Sequence, residues 1–182
     1  ETAAVNTAKA LKAYLVHAHQ VLNRHPLNQN RLKKSLPPLN GLVTQRAGRM
    51  KKITSFSSRY GLKGLSIASG VVFEGLSRFI GLDFLKARDT DNPEADLAER
   101  LVAAREALKQ YDFIHVHTKA PDEAAHTKNP SFKKQVIEGL DRAIAGHVDW
   151  LLDDPDILTV VTADHSTPSS GPLVHSGEPV PL

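Results

Sequence analysis

The chain contains no cysteine. Disulfides and thiolate-ligated zinc are therefore excluded, and the absence fits a reducing compartment such as the cytoplasm. Aromatic residues make up only 5%, and none interleaves with the basic residues between Arg24 and Lys52. That argues against nucleic-acid binding by base stacking. No apolar run approaches the roughly 20 residues needed to span a bilayer. The opening ETAAVNTAKALKAYL lacks the basic start and apolar block of a secretory signal.

What is present is ordinary for a globular protein: 182 residues, 41% hydrophobic and 24% charged, with a formal net charge of +3. That length allows one domain with a real core, or one domain and an appendage. Lys and Arg crowd the first third, at Arg24, Arg31, Lys33, Lys34, Arg46, Arg49, Lys51 and Lys52. Such a cluster suits nucleic acid or a small anionic substrate, and a solvated basic surface is the default reading for most of it. The chain starts without methionine and ends on PVPL, and we expect it to be a piece of a longer protein.

Val5, Ala8, Leu11, Leu15, Ala18 and Leu22 recur at helical spacing, which predicts a helix over 4–24 that ends before Pro26. A short helix over 29–35 and a short strand at GLVTQ follow, and QRAGRMKK reads as a basic loop. The pattern then changes. A short helix and a Gly turn precede a strand at 64–68, a helix spans 70–81, and LDFLKA reads as a further strand. Asp91-Asn92-Pro93-Glu94 is a helix start, with a capping side chain, an early Pro and an acid in the first turn. That helix runs to about 109. YDFIHVHT reads as a buried strand, Pro130 opens a helix to about 152, and DPDILTVVTA reads as another strand. Strands alternating with helices predict an α/β fold, a mostly parallel sheet flanked by helices. Ligands in such sheets bind beyond the C-terminal strand ends.

Two of those ends carry metal-ligating side chains. KAPDEAAH places Asp122 and His126 four apart, so that a helical turn puts both on one face, where they can share one ion. ADHSTP supplies Asp164 and His165, adjacent and therefore pointing apart, and His175 follows ten residues later. Each pair alone carries little weight. An Asp-x-x-x-His is usually exposed helix surface, Asp164-His165 can be a cap beside a surface His, and a loop His is usually solvated. His115 and His117 alternate to one face of their strand and read as buried, hydrogen-bonded histidines before they read as ligands. The weight lies in the coincidence of sets at separate strand ends. Nitrogen and oxygen ligands without sulfur suit zinc, manganese or another borderline divalent ion. Two such ions a few ångströms apart make a site for phosphoryl chemistry.

HVHTKAPDEAAH together with VVTADHSTPSSGPLVHSGEPVP closely resembles the archaeal-type cofactor-independent phosphoglycerate mutases of the alkaline phosphatase superfamily. HPLNQNRLKKSLPPLNGLVTQRAGR and SFSSRYGLKGLSIASGVVFEGLSRFIGLD agree with the same family, so the resemblance covers nearly the whole chain. It implies that residues 1–50 are the C-terminal part of an inserted substrate-binding domain, and that 51–182 are part of an alkaline-phosphatase-like core. It also implies two divalent ions, manganese or zinc. Asp122, His126 and His175 would hold one. Asp164 and His165 would hold the other, with an aspartate and a nucleophilic serine from an N-terminal strand. That serine takes the phosphoryl group from one hydroxyl of phosphoglycerate and returns it to the neighbouring one.

The family's early Asp and Ser have no counterpart in these residues, and Ser166 reads as a loop or cap residue, not as the nucleophile. An isolated 182-residue chain is accordingly expected to show no mutase turnover. Lys119, Arg46 and Arg49 are the expected ligands for the substrate's phosphate or carboxylate, with surface charge as the equal alternative for each. The expected partner is a small phosphorylated substrate, with no nucleic acid and no membrane. Two other readings stay open. The same metal site serves phosphatases, phosphodiesterases and phosphonate-processing relatives, and the basic first third would serve a non-enzymatic nucleic-acid-binding domain.

Overall fold

A computed structural model describes residues 2–44 and 48–181. The chain divides into two compact units, Glu1–Lys51 and Lys52–Leu182.

In the first unit, α1 (Thr2–Arg24) and α2 (Pro26–Lys33) meet at His25. His25 is extended (φ −65, ψ 135) and its side chain caps α2 by accepting from the Leu27 N–H, while Pro26 takes the first helical position. Leu15, Ala18 and Leu22 of α1 are half-buried, and no residue of α1 is fully buried. The buried Asn28 ties the following segment down. Its amide donates to the Leu22 and Leu39 carbonyls and its oxygen accepts from the Leu39 N–H at 2.7 Å. Residues 41–44 form no strand.

The second unit is built on a parallel sheet of β1 (Gly64–Ala68), β2 (Asp83–Lys86) and β3 (Phe113–Val116), in the order β2-β1-β3. It begins with α3 (Phe56–Tyr60), and α4 (Val71–Ile80) and α5 (Pro93–Ala107) make the two crossovers. β1 is central and buried throughout, as an apolar strand covered on both faces must be. Gly64 leaves little room there: a Cβ would sit 2.3 Å from a Leu82 methyl and 3.2 Å from the Phe56 ring, so any larger residue would need the buried Leu82 side chain to move.

Leu65 and Ile67 point to one face and join Leu97, Leu101 and Ala104 of α5 and Leu140 and Ala143 of α7 (Pro130–Ala145). Trp150 and Leu151 of α8 (Val148–Leu151) complete this core. Each such Leu or Ile side chain taken from water contributes about 1.5–3 kcal/mol. Asn92 and Asn129 cap α5 and α7 by accepting from Ala95 and Phe132 N–H groups. The helix expected to run to 152 breaks at Gly146 and His147, where α7 ends and α8 begins.

On the opposite face, Ser66 bonds the His115 ring at 3.0 Å, and the His117 ring stacks on Phe73 of α4 with centroids 3.8 Å apart. The apolar run at 157–161 forms no strand. Ile157 packs against the core, but Leu158, Val160 and Val161 are 89%, 60% and 64% exposed. A strand needs a ladder partner, and this segment has none among the described residues. Among the described residues, no helix is long and apolar enough to cross a membrane.

Candidate metal centre

Beyond the C-terminal end of β3 the chain turns at Thr118-Lys119 into α6 (Ala120–His126). Pro121 sits in its first turn, and helical spacing sets Asp122 and His126 on one face, with carboxylate Oδ2 3.2 Å from the imidazole Nε2. The 162–178 segment is irregular and reaches Asp122 by tertiary contacts. Thr167, 5% exposed, donates from its hydroxyl to Asp122 Oδ1 at 2.6 Å and lies 3.1 Å from His165 Nδ1. The Lys133 ammonium donates to the Thr167 carbonyl at 2.8 Å. The Lys128 ammonium spans the Pro168 and Leu173 carbonyls.

His165 and His175 are brought together by a single antiparallel bridge between the residues that follow them, Ser166 and Ser176. Both serine hydroxyls donate to Glu178 Oε2, at 3.2 and 3.0 Å. The two imidazole rings then lie 4.3 Å apart, and His175 Nε2 is 3.7 Å from Asp122 Oδ1. One donor atom from each of Asp122, His165 and His175 falls within a sphere where all lie within 4.8 Å of one another. His126 stands beside this group, 5.4 Å from the His175 ring. Asp164 is at its exposed edge, 3.5 Å from His165 Nε2. Ser166 is a loop residue engaged with Glu178, away from any carboxylate-imidazole pairing of its own.

Burial works against ionisation of Asp122, but the Thr167 hydroxyl and the neighbouring His126, His165 and His175 outweigh it and hold its pKa below the usual carboxylate value. The side chain is thus an anionic ligand at neutral pH. Two imidazoles and a carboxylate at this spacing, with no sulfur, fit a borderline divalent ion.

A second polar cluster lies beyond the C-terminal ends of β2 and β3. Arg100 of α5 is 2% exposed and its guanidinium holds the His117 and Arg88 carbonyls and the Asp89 carboxylate. Burial opposes the Asp89 charge, yet the neighbouring Ser69 hydroxyl, the Arg100 guanidinium and the Lys119 charge together lower its pKa. Burial, reinforced by His115, Arg100 and Lys119 and only partly countered by Asp164, pushes His117 down to about 4, so its ring is neutral at physiological pH. His115 is lowered by burial as well.

Lys119 is half-buried and reaches over the Phe73 ring, with Nζ 5.6 Å from the centroid. Arg49 is exposed in the first unit, and Arg46 lies outside the described residues. Sequence reasoning passed over Thr167, Arg100, Glu178, Lys128 and Lys133. Arg100 was the most legible of them, since it shares the Leu97-Leu101-Ala104 face of α5 where a charge calls for buried partners.

The family signature described as the Metalloenzyme superfamily matches residues 3–182. Among curated relatives, the 2,3-bisphosphoglycerate-independent phosphoglycerate mutase 2 of Methanocaldococcus jannaschii is 43% identical over 179 residues, 98% of this chain and 39% of the relative. Mutase 1 of the same organism is 37% identical over 98% of this chain and 43% of the relative. The chain thus spans about two fifths of the length of these relatives. Among solved structures, a Pyrococcus horikoshii protein superposes with a TM-score of 0.80 at 30% identity, over 96% of this chain and 46% of that one. The cofactor-independent phosphoglycerate mutase from Thermoplasma acidophilum superposes with a TM-score of 0.53 at 27% identity, over 80% of this chain and 37% of that one. With a signature that runs from residue 3 to the last, and with carboxylate and imidazole donors of Asp122, His165 and His175 gathered within 4.8 Å, the chain belongs to the Metalloenzyme superfamily.

Proposed function

We propose that the whole protein is a cofactor-independent phosphoglycerate mutase, a glycolytic isomerase of the cytoplasm that moves phosphate between the 2- and 3-positions of glycerate. The observation that carries this reading is the convergence of Asp122, His165 and His175 donor atoms within 4.8 Å, in a chain 43% identical to a relative named as such a mutase. In this reading residues 1–50 belong to the inserted substrate-binding domain and 51–182 to the metal-holding core. Asp122, His126 and His175 would hold one divalent ion, manganese or zinc, and His165, whose donor atom lies within the same 4.8 Å group, would contribute with Asp164 to a second ion beside it. Bound there, the ions neutralise phosphate charge and lower the pKa of an attacking hydroxyl.

This chain's own residues bind and orient. Lys119, half-buried beside the strand ends, supplies a cation for the substrate's phosphate or carboxylate. Arg46 and Arg49 would add planar guanidinium forks for the same groups. His117, neutral and stacked on Phe73, adds no positive charge just beyond β3. The attacking serine, and the phosphoserine it forms, belong to sequence outside these residues. The substrate is small and phosphorylated, and neither nucleic acid nor membrane is required.

The test is metal analysis and a phosphoglycerate assay on the full gene product, beside the isolated 182-residue chain. Mutase turnover by the full protein that chelation abolishes, with none from the isolated chain, is the expected result. Release of inorganic phosphate without isomerisation would replace the mutase with a phosphatase. DNA binding that falls steeply with salt and ignores metal would replace the enzyme with a nucleic-acid-binding protein.

A further inference from the structure

Taking the metal-centre reading as its basis, we infer that Thr167 is a positioning residue: its hydroxyl locks His165 in the Nδ1–H tautomer and couples it to Asp122, so that two ligands from separate segments are set before an ion arrives. The argument is one of proton counting. An ionised carboxylate only accepts hydrogen bonds, and a hydroxyl has one proton to give. Thr167 Oγ1 lies 2.6 Å from Asp122 Oδ1, so that proton points at Asp122. The same oxygen lies 3.1 Å from His165 Nδ1. With its proton committed, it can only accept, so Nδ1 carries the hydrogen and Nε2 is left as the nitrogen to meet an ion. That Nε2 is the nitrogen 3.5 Å from Asp164 Oδ2, at the open side of the group.

The surroundings make the hydroxyl hard to replace. Thr167 is 5% exposed, so bulk water has little access to stand in for it. Its carbonyl is held by the Lys133 ammonium at 2.8 Å, which fixes the backbone. Its branched Cβ restricts rotation about χ1, which keeps the oxygen between its two partners. Hydrogen-bond partners behind metal ligands commonly cost 10- to 100-fold in metal affinity when removed.

The experiment compares Thr167→Val, which keeps the shape and loses the hydroxyl, with Thr167→Ser, which keeps the hydroxyl. Mn2+ alone is titrated into the full gene product, and the ring nitrogens of 15N-labelled His165 are read in metal-free protein. The expected result is Nδ1–H in the parent and in Thr167→Ser. Thr167→Val should show a mixed or Nε2–H population and a roughly 10- to 100-fold weaker Mn2+ affinity. Thr167→Val with the parent's tautomer and affinity would overturn the inference. A parent that takes up no Mn2+ would instead overturn the metal-centre reading, and this inference with it. Loss of affinity in Thr167→Ser equal to that in Thr167→Val would mean that shape, and not the hydroxyl, matters.

Discussion

The site has two halves that are built differently. Asp122 and His126 stand on α6, where one helical turn places them side by side. His165 and His175 stand on a segment with no regular element beyond a single bridge, and Thr167, Glu178, Lys128 and Lys133 hold it by side-chain contacts. A helix carries its geometry in its own backbone hydrogen bonds. An irregular segment borrows its geometry from whatever it touches. The first half should therefore tolerate loss of its neighbours, and the second should not.

The strongest way to break this contrast is Lys133→Met, which leaves α7 helical but frees the Thr167 carbonyl. A hydrogen bond to a charged group is worth about 1.5–3 kcal/mol. Hydrogen exchange should accelerate across 164–176 while α6 keeps the parent's protection, and Mn2+ affinity should fall by about tenfold. Equal acceleration in both segments would show that the two halves are one unit.

A smaller effect separates the His115 and His117 rings at the C-terminal end of β3. His117 has its pKa pushed down to about 4, from an unfolded value near 6.5. Between those values the unfolded chain binds more protons, so stability is complete above about pH 6.5 and is lost as pH falls toward 4. After allowance for solvent screening of a half-exposed ring, the loss is on the order of 1–2 kcal/mol. Urea unfolding at pH 7 and pH 4.5 measures it, and His117→Gln should flatten the difference. An unchanged slope in that variant would move the effect to His115, which is lowered in the same direction.

The smallest effect sharpens the helical side. Asn129 caps α7, and Asn129→Ala should cost about 1 kcal/mol. Thermal melting should register that cost, with Mn2+ affinity falling by less than in Lys133→Met, because the Lys133 side chain keeps its bond to the Thr167 carbonyl.

The helices and the three paired strands could be read from the sequence with little error, because periodicity and caps act locally. Pro93 after Asn92, Pro130 after Asn129, and Gly81 in the left-handed region at φ 81 mark their ends. The run at 157–161 was as apolar and β-branched as any strand, yet it stays unpaired, because a ladder needs a partner that the run itself cannot supply. The break at Gly146 was hidden for a related reason: apolar spacing continued through it into Trp150 and Leu151.

The same division runs through the site. The ligand residues themselves were legible as Asp and His types after runs that read as strands, though only the run before Asp122 forms one, and the four-residue spacing of Asp122 and His126 already placed them together. Sequence could not say that His165 and His175 meet at 4.3 Å, nor that both converge on Asp122. Sequence alone determined which side chains can bind an ion and the α/β frame that presents them, because composition and helical periodicity are local properties. Only the tertiary structure decided which of them share a site, because that depends on hydrogen bonds such as Thr167 to Asp122, between residues 45 positions apart.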